Sequence, residues 1–291
     1  MTNAQSGDRS DSTQIPVSFT YKLTVRKGQD ALKTFQKQKL DLWMIVLIYY
    51  IVTSIGSLVL GMLQPMLGIP SIVIQLTQFG PAVGVLTILL LRSWARVPPH
   101  TFDLRFWPHQ PWKLIAAVSL TAAIFASAWL WYWITGHSVT YTPPSFLSHP
   151  FWLIVIAQFI GAAGEEIGWR CFLQPVLQSR FGVLLSSIIV GVLWGVWHIG
   201  VFAKGWGYAL LFILFAVSIS VILGELLRNA RGGRLLLSAS FHALINLGLL
   251  IWFNEEGGSL LAIGTLAAAC TIFAIVVGCV SYSHSKAPVY N

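Results

Sequence analysis

Charge is what this sequence has least of. Only 10% of its 291 residues are charged while 56% are hydrophobic, and the mean hydropathy is +0.72. Soluble domains carry roughly 25% charged residues, so an ordinary water-soluble domain is excluded and a membrane protein is expected. Cysteine is scarce as well. Cys270 and Cys279 share one apolar stretch and Cys171 lies inside another, so the three read as small core fillers rather than a disulfide framework. All five aspartates lie outside the apolar stretches, which excludes an intramembrane aspartate pair. The chain has no His-Glu-x-x-His zinc-protease helix and no Gly-x-Ser-Gly serine elbow. It also lacks the glycine-rich phosphate loop of an ATP-driven pump. The first forty residues hold no apolar core, so no cleavable signal peptide is expected.

What the chain has instead is long apolar runs. Eight are long enough for a bilayer span of about 20 residues: Leu42–Leu67, Ile72–Leu91, Leu114–Ile134, Phe151–Leu177, Val183–Phe202, Gly207–Leu227, Leu235–Phe253 and Leu260–Ser281. The expected architecture is an all-α, polytopic integral membrane bundle of about eight transmembrane helices. A polar, basic tail (1–41) would precede a membrane domain (42–285), with the chemistry concentrated in 151–250.

The net charge of +8 is distributed by side of the membrane. Seven basic residues fill the leading tail. Arg92, Arg96, Arg105 and Lys113 follow the second run, Arg180 the fourth, and Arg228, Arg231 and Arg234 the sixth, with Lys286 in the closing tail. Only Lys204 falls on the other side, and Arg170 is intramembrane. The positive-inside rule then puts both termini in the cytoplasm of a multi-pass cell-membrane protein. The basic charge is assigned to topology and lipid headgroups, and nucleic acid is excluded as a partner.

Three acidic residues lie within the runs: Glu165, Glu166 and Glu225. Glu225 sits three residues before Arg228 near a span end, where a snorkelling surface ion pair is expected. Glu165 and Glu166, in "GAAGEEIGWRCF", lie deep. Carboxylates in hydrocarbon cost at least a few kcal/mol and mark function. Arg170 lies one helical turn after Glu166 and can hold that carboxylate ionised, while Glu165 leaves the helix about 100° away. His198 in "LWGVWHIG" and His242 in "SASFHALIN" add imidazoles on two further spans, and Asn246 follows His242 by one turn. A carboxylate can activate water, a histidine can co-orient it or supply a proton, and a second histidine with an amide can stabilise an oxyanion. Together these groups suffice to hydrolyse an amide without a covalent enzyme intermediate.

The ordered trio "EEIGWR", "WGVWH" and "HALIN" resembles the CPBP family, which includes CAAX prenyl proteases and bacteriocin-processing or Abi proteins. Its pattern is Glu-Glu-x-x-x-Arg, Phe-x-x-x-His and His-x-x-x-Asn or a small residue, on successive late helices of an eight-span bundle. The resemblance implies Glu165 as the water-activating base with His198 on the same water, His242 and Asn246 at the oxyanion, and Glu166 and Arg170 in support. Trp194 stands where the family usually has phenylalanine, keeping an aromatic group in a substrate-binding position with altered pocket shape. The implied partner is a peptide or protein substrate at the membrane, with a prenylated tail as one form. No cofactor is required on this reading; a zinc site of Glu165, His198 and His242 is the alternative. Two non-proteolytic readings stand beside it: an immunity or signalling scaffold and a proton-coupled transporter, the latter disfavoured by the lack of paired broken helices. One tension accompanies the assignment. With regular spans, Glu165 lies about 22 Å below the outer start of its helix and His198 well above it, so tilt or an interfacial start after "SRFGV" is needed to bring them together.

The topology is checked by reporters fused to Asn291. A reporter that fluoresces only in the cytoplasm is expected to be active there, and one that folds only outside the cell to be silent.

Overall fold

The computed structural model describes the backbone of residues 17–91, 107–230, 232–253 and 257–286, and the side chains between Leu42 and Ser283 within those ranges. The basic side chains of the leading tail, together with Arg92, Arg96, Arg105 and Arg231, lie outside the described residues. Eight α-helices occur among the described residues and no strand: α1 (Val17–Met66), α2 (Gly80–Leu90), α3 (Trp112–Ile134), α4 (Phe151–Gly168), α5 (Gln174–Trp197), α6 (Trp206–Leu226), α7 (Arg234–Trp252) and α8 (Leu260–Lys286). Helices satisfy their own backbone hydrogen bonds, which is what a lipid solvent demands. The chain is a multi-pass membrane protein. It divides into two units, Met1–Met44 and Ile45–Asn291, and the second contains all that follows.

Among the described residues, six helical stretches are long and apolar enough to cross a membrane as continuous helices, against the eight spans expected. Two local causes account for the difference. The second expected span is shortened because residues 67–75 form turns, a 3₁₀ turn covers Leu76–Phe79, and α2 starts only at Gly80 with Pro81 behind it, leaving an apolar helix from Leu76 to Leu90. The fourth and fifth spans run together as Phe151–Trp197, 47 residues. A straight helix of that length would reach about 70 Å, far beyond a hydrocarbon core of about 30 Å. It is broken at Gly182, whose φ of 68° and ψ of −179° are open to glycine and strained for other residues. Glu165 and Trp194, 29 residues apart, touch at 2.7 Å, so the chain doubles back at that break. This turn removes the depth mismatch that regular spans imposed on Glu165 and His198.

A second irregularity precedes α5. Trp169–Leu173 forms a π-turn, all five residues buried. Pro175 explains its position: proline has no N–H to donate to the carbonyl four residues back and its ring would crowd it, so the backbone widens by one residue before the proline. The expected regular helix from Phe151 to Leu177 therefore ends its α-helical part at Gly168.

α6 is the centre of the bundle, with 72% of its apolar window buried against 28% for α3. It packs between α5 and α8, while α4 packs on α7 and α2 and α3 packs on α7 and α8. Small residues allow these approaches. A Cβ on Gly191 of α5 would stand 2.5 Å from Val217 Cα of α6. At the end of α6, Arg228 Nε and Nη2 donate to the Glu225 carboxylate at 2.6 and 2.7 Å, and this hydrogen bond holds the guanidinium pKa above its ordinary value. The expected pair forms, yet Glu225 is buried rather than at the surface, with only 3% of its side chain exposed.

Gly191→Ala is expected to cost about 1–3 kcal/mol by overpacking, read as a lower unfolding midpoint in detergent. Gly278→Ala, whose Cβ meets nothing within 4 Å, is expected to be neutral or slightly stabilising.

Candidate active site

Glu165 and Glu166 are consecutive on α4, so their side chains leave it about 100° apart and meet different helices. Both are buried, at 2% and 0% exposure. Glu166 Oε1 accepts from Arg170 Nη1 at 3.0 Å and lies 2.9 Å from His242 Nδ1 on α7. Arg170, itself wholly buried, donates through Nη2 to Ser220 Oγ on α6 at 3.0 Å. A carboxylate from α4, a guanidinium from the π-turn, an imidazole from α7 and a hydroxyl from α6 thus share one buried polar cluster. Among the described residues, Glu166 Oε2, Arg170 Nε and Trp169 Nε1 are buried without a hydrogen-bond partner in the protein. Buried polar atoms of this kind pair with ordered water or substrate.

Glu165 faces the other way. Its Oε2 accepts from Trp194 Nε1 on α5 at 2.7 Å, and its Oε1 accepts from Gln78 Nε2 on the 3₁₀ turn before α2 at 3.2 Å. Trp194 also touches the rest of the site. Its ring stands edge-on to His198 and to His242, at centroid distances of 5.4 and 5.2 Å, and the Arg170 guanidinium lies 4.5 Å from its centre. The sequence reading gave Trp194 a substrate-contacting role; here it is 3% exposed and donates to the candidate base. Phenylalanine could supply the stacking but not that hydrogen bond.

His198 caps α5, one turn beyond Trp194, and its Nδ1 lies 2.8 Å from the Trp194 carbonyl. A carbonyl only accepts, so Nδ1 carries the proton and Nε2 of a neutral ring is left as an acceptor. The same logic applies to His242, because an ionised Glu166 only accepts. Asn246 does lie one turn from His242, but its Nδ2 donates to Gln158 Oε1 at 3.2 Å. In this arrangement the two groups expected at an oxyanion each hold a residue of α4: His242 holds Glu166, and Asn246 holds Gln158.

The zinc alternative has a geometric test. Among the described residues no three His, Cys, Asp or Glu side chains gather closely enough to hold a metal ion. Glu165, His198 and His242 each contact Trp194.

Residues 147–248 match the family described as type II CAAX prenyl endopeptidase, Rce1-like. The matched segment carries most of this site. It includes Glu165, Glu166, Arg170, Trp194, His198, His242 and Asn246; Gln78 lies outside it. The chain is also similar to Lysostaphin resistance protein A of Staphylococcus aureus, in strains bovine RF122 / ET3-1, Newman and USA300. Each is 25% identical over 232 residues, covering 80% of this chain and 55% of the relative. The chain therefore spans about half the length of the curated relatives it matches.

Sequence reasoning missed Gln78, Gln158 and Ser220. An amide inside "IVIQLTQFG" is itself a signal, because polar groups in spans seek partners. A serine such as Ser220 carries none, since its hydroxyl can equally bond its own helix.

Arg170→Met is expected to destabilise the protein by about 3–5 kcal/mol, since it leaves Glu166 buried and uncompensated. Adding Glu166→Gln should recover part of that loss. Thermal unfolding of the two variants in detergent measures both.

Proposed function

We propose that this chain is an intramembrane endopeptidase in which Glu165 activates a water molecule against a peptide carbonyl. The observation that carries the reading is the double-capped, buried Glu165 carboxylate, joined through Trp194 to two imidazoles whose Nδ1 atoms are both committed elsewhere. The Rce1-like match over the same residues supports it.

The steps follow from the available atoms. Glu165 takes a proton from water as the oxygen attacks the carbonyl carbon, giving a tetrahedral oxyanion. His198 Nε2 accepts a hydrogen bond from the same water and orients it. His242 offers Nε2 to the oxyanion only as an imidazolium, whose charge Glu166 balances; Arg170 keeps Glu166 in place. The C–N bond then breaks, and the proton held by Glu165 passes to the departing amine, restoring the carboxylate. The substrate class is a peptide presented at the membrane, with a prenylated C-terminal tail as the first candidate because the matched family is named for it.

A second reading draws on the relatives. The name Lysostaphin resistance protein A describes resistance rather than cleavage, and a non-proteolytic immunity or signalling scaffold would keep the same polar cluster for structure. Purified protein in lipid nanodiscs separates the two readings. The probes are a fluorogenic farnesylated peptide, its unmodified counterpart and a bacteriocin-leader peptide. Glu165→Gln is expected to lower cleavage by about 10²–10⁴-fold with an unchanged unfolding midpoint. Cleavage that survives in Glu165→Gln would sink the catalytic assignment, and a wild-type protein inert on all three probes would favour the scaffold.

A further inference from the structure

We infer that Gln78 is a positioning residue for Glu165, holding the carboxylate in one orientation from outside the Rce1-like segment. The inference rests on the proposed role of Glu165.

Three independent observations converge on this side chain. The first is its contact. Gln78 is 8% exposed, and its Nε2 reaches Glu165 Oε1 across 87 residues of sequence at 3.2 Å. An ionised carboxylate only accepts, so the amide must present its N–H₂ there.

The second is its mounting. The 3₁₀ turn that carries Gln78 is clamped to α1 by side-chain bonds. Ser57 Oγ donates to Thr77 O at 3.0 Å. Gln64 Oε1 accepts from the Leu76 N–H at 2.8 Å, while Gln64 Nε2 donates to Ile74 O at 2.9 Å and to Ile69 O at 3.2 Å. These bonds fix the backbone from which the Gln78 side chain extends.

The third is the surface it crosses. A Cβ on Gly161 would fall 2.1 Å from Gln78 Oε1, and one on Gly164 would fall 2.8 Å from Phe79 Cδ1 and 3.0 Å from Gln78 O. The glycines of "GAAGEE" are thus the floor over which the Gln78 side chain reaches Glu165. A larger residue at Gly161 would occupy its path.

The consequence is geometric. Glu165 Oε1 is held from the α2 side and Oε2 from the α5 side. Two donors on separate oxygens fix the plane of the carboxylate and with it the positions of its remaining lone pairs. A single donor would leave the group free to rotate about its last bond.

The test uses the full chain in nanodiscs, labelled with ¹³C at glutamate carboxyl carbons. The infrared difference between wild type and Glu165→Gln isolates the Glu165 carboxylate bands. Gln78→Met keeps the length of the side chain and removes the donor; the bands are expected to shift, as they should in Trp194→Phe. Gly161→Ala should produce the same shift by displacing Gln78 without altering it, and the double variant should add nothing further. On whichever peptide probe is cut, kcat is expected to fall about 10- to 100-fold, the size of a lost hydrogen bond to a charged group, with KM within about twofold. Glu165 bands that stay in place in folded Gln78→Met or Gly161→Ala protein overturn the inference, whatever cleavage shows. Shifted bands in a protein that cuts no probe would support the positioning of Glu165 and count against the proposed function alone.

Discussion

Glu166 and Arg170 each carry a charge at zero exposure, and their 3.0 Å contact is the condition for any further charge at this depth. Removing an ion from water costs several kcal/mol even after the surroundings relax, and the loss is offset only when the remaining lone pairs and protons are also satisfied. Here His242 and Ser220 take up part of that capacity, so one ion pair draws α4, α6 and α7 together. Adjacent carboxylates would otherwise repel. The two residues avoid that conflict by facing apart: one set of donors serves the pair, and a separate set serves Glu165.

Such a polar cluster needs close backbones as well as matched charges. Lipid supplies no hydrophobic drive between helices, so tight packing of small residues does the work. Gly161, Gly164 and Gly168 line the face of α4 that meets residues 78–81, where added Cβ atoms would collide with Gln78, Phe79 and Pro81. The same glycines that look like weak helix formers in "GAAGEEIG" let a long amide reach the candidate base. Helix propensity yields to proximity at this one stretch.

The parts of the site visible in the sequence were those with local spacing. Glu166 and Arg170 are four apart, so their contact follows from the helix period, as does the divergence of Glu165. His198 and His242 stood out because imidazoles in apolar helices are costly. What stayed hidden depends on contacts between distant segments. Gln78 joins Glu165 across 87 residues, and the Asn246–Gln158 pair spans 88; no periodicity in either segment encodes such a meeting. Eight apolar runs were legible, and the break at Gly182 falls between the fourth run, ending at Leu177, and the fifth, starting at Val183. The π-turn at Trp169–Leu173 is a backbone event that hydropathy does not register, and Pro175 is its written clue.

Trp194 shows why one substitution within a motif can change how a site is held. Its indole edge supplies a donor to Glu165, its ring edges contact both imidazoles, and Arg170 lies over its face. An aromatic face attracts a cation, and the guanidinium stays bound to Glu166 while it stacks. Motion of the Trp194 ring would therefore disturb Glu165, both histidines and the buried ion pair together. A phenylalanine in its place would leave Glu165 with Gln78 as its one side-chain donor, and the carboxylate would depend on water for the rest. In this chain the protein supplies both donors itself, so the orientation of the carboxylate is set by packing before any substrate arrives.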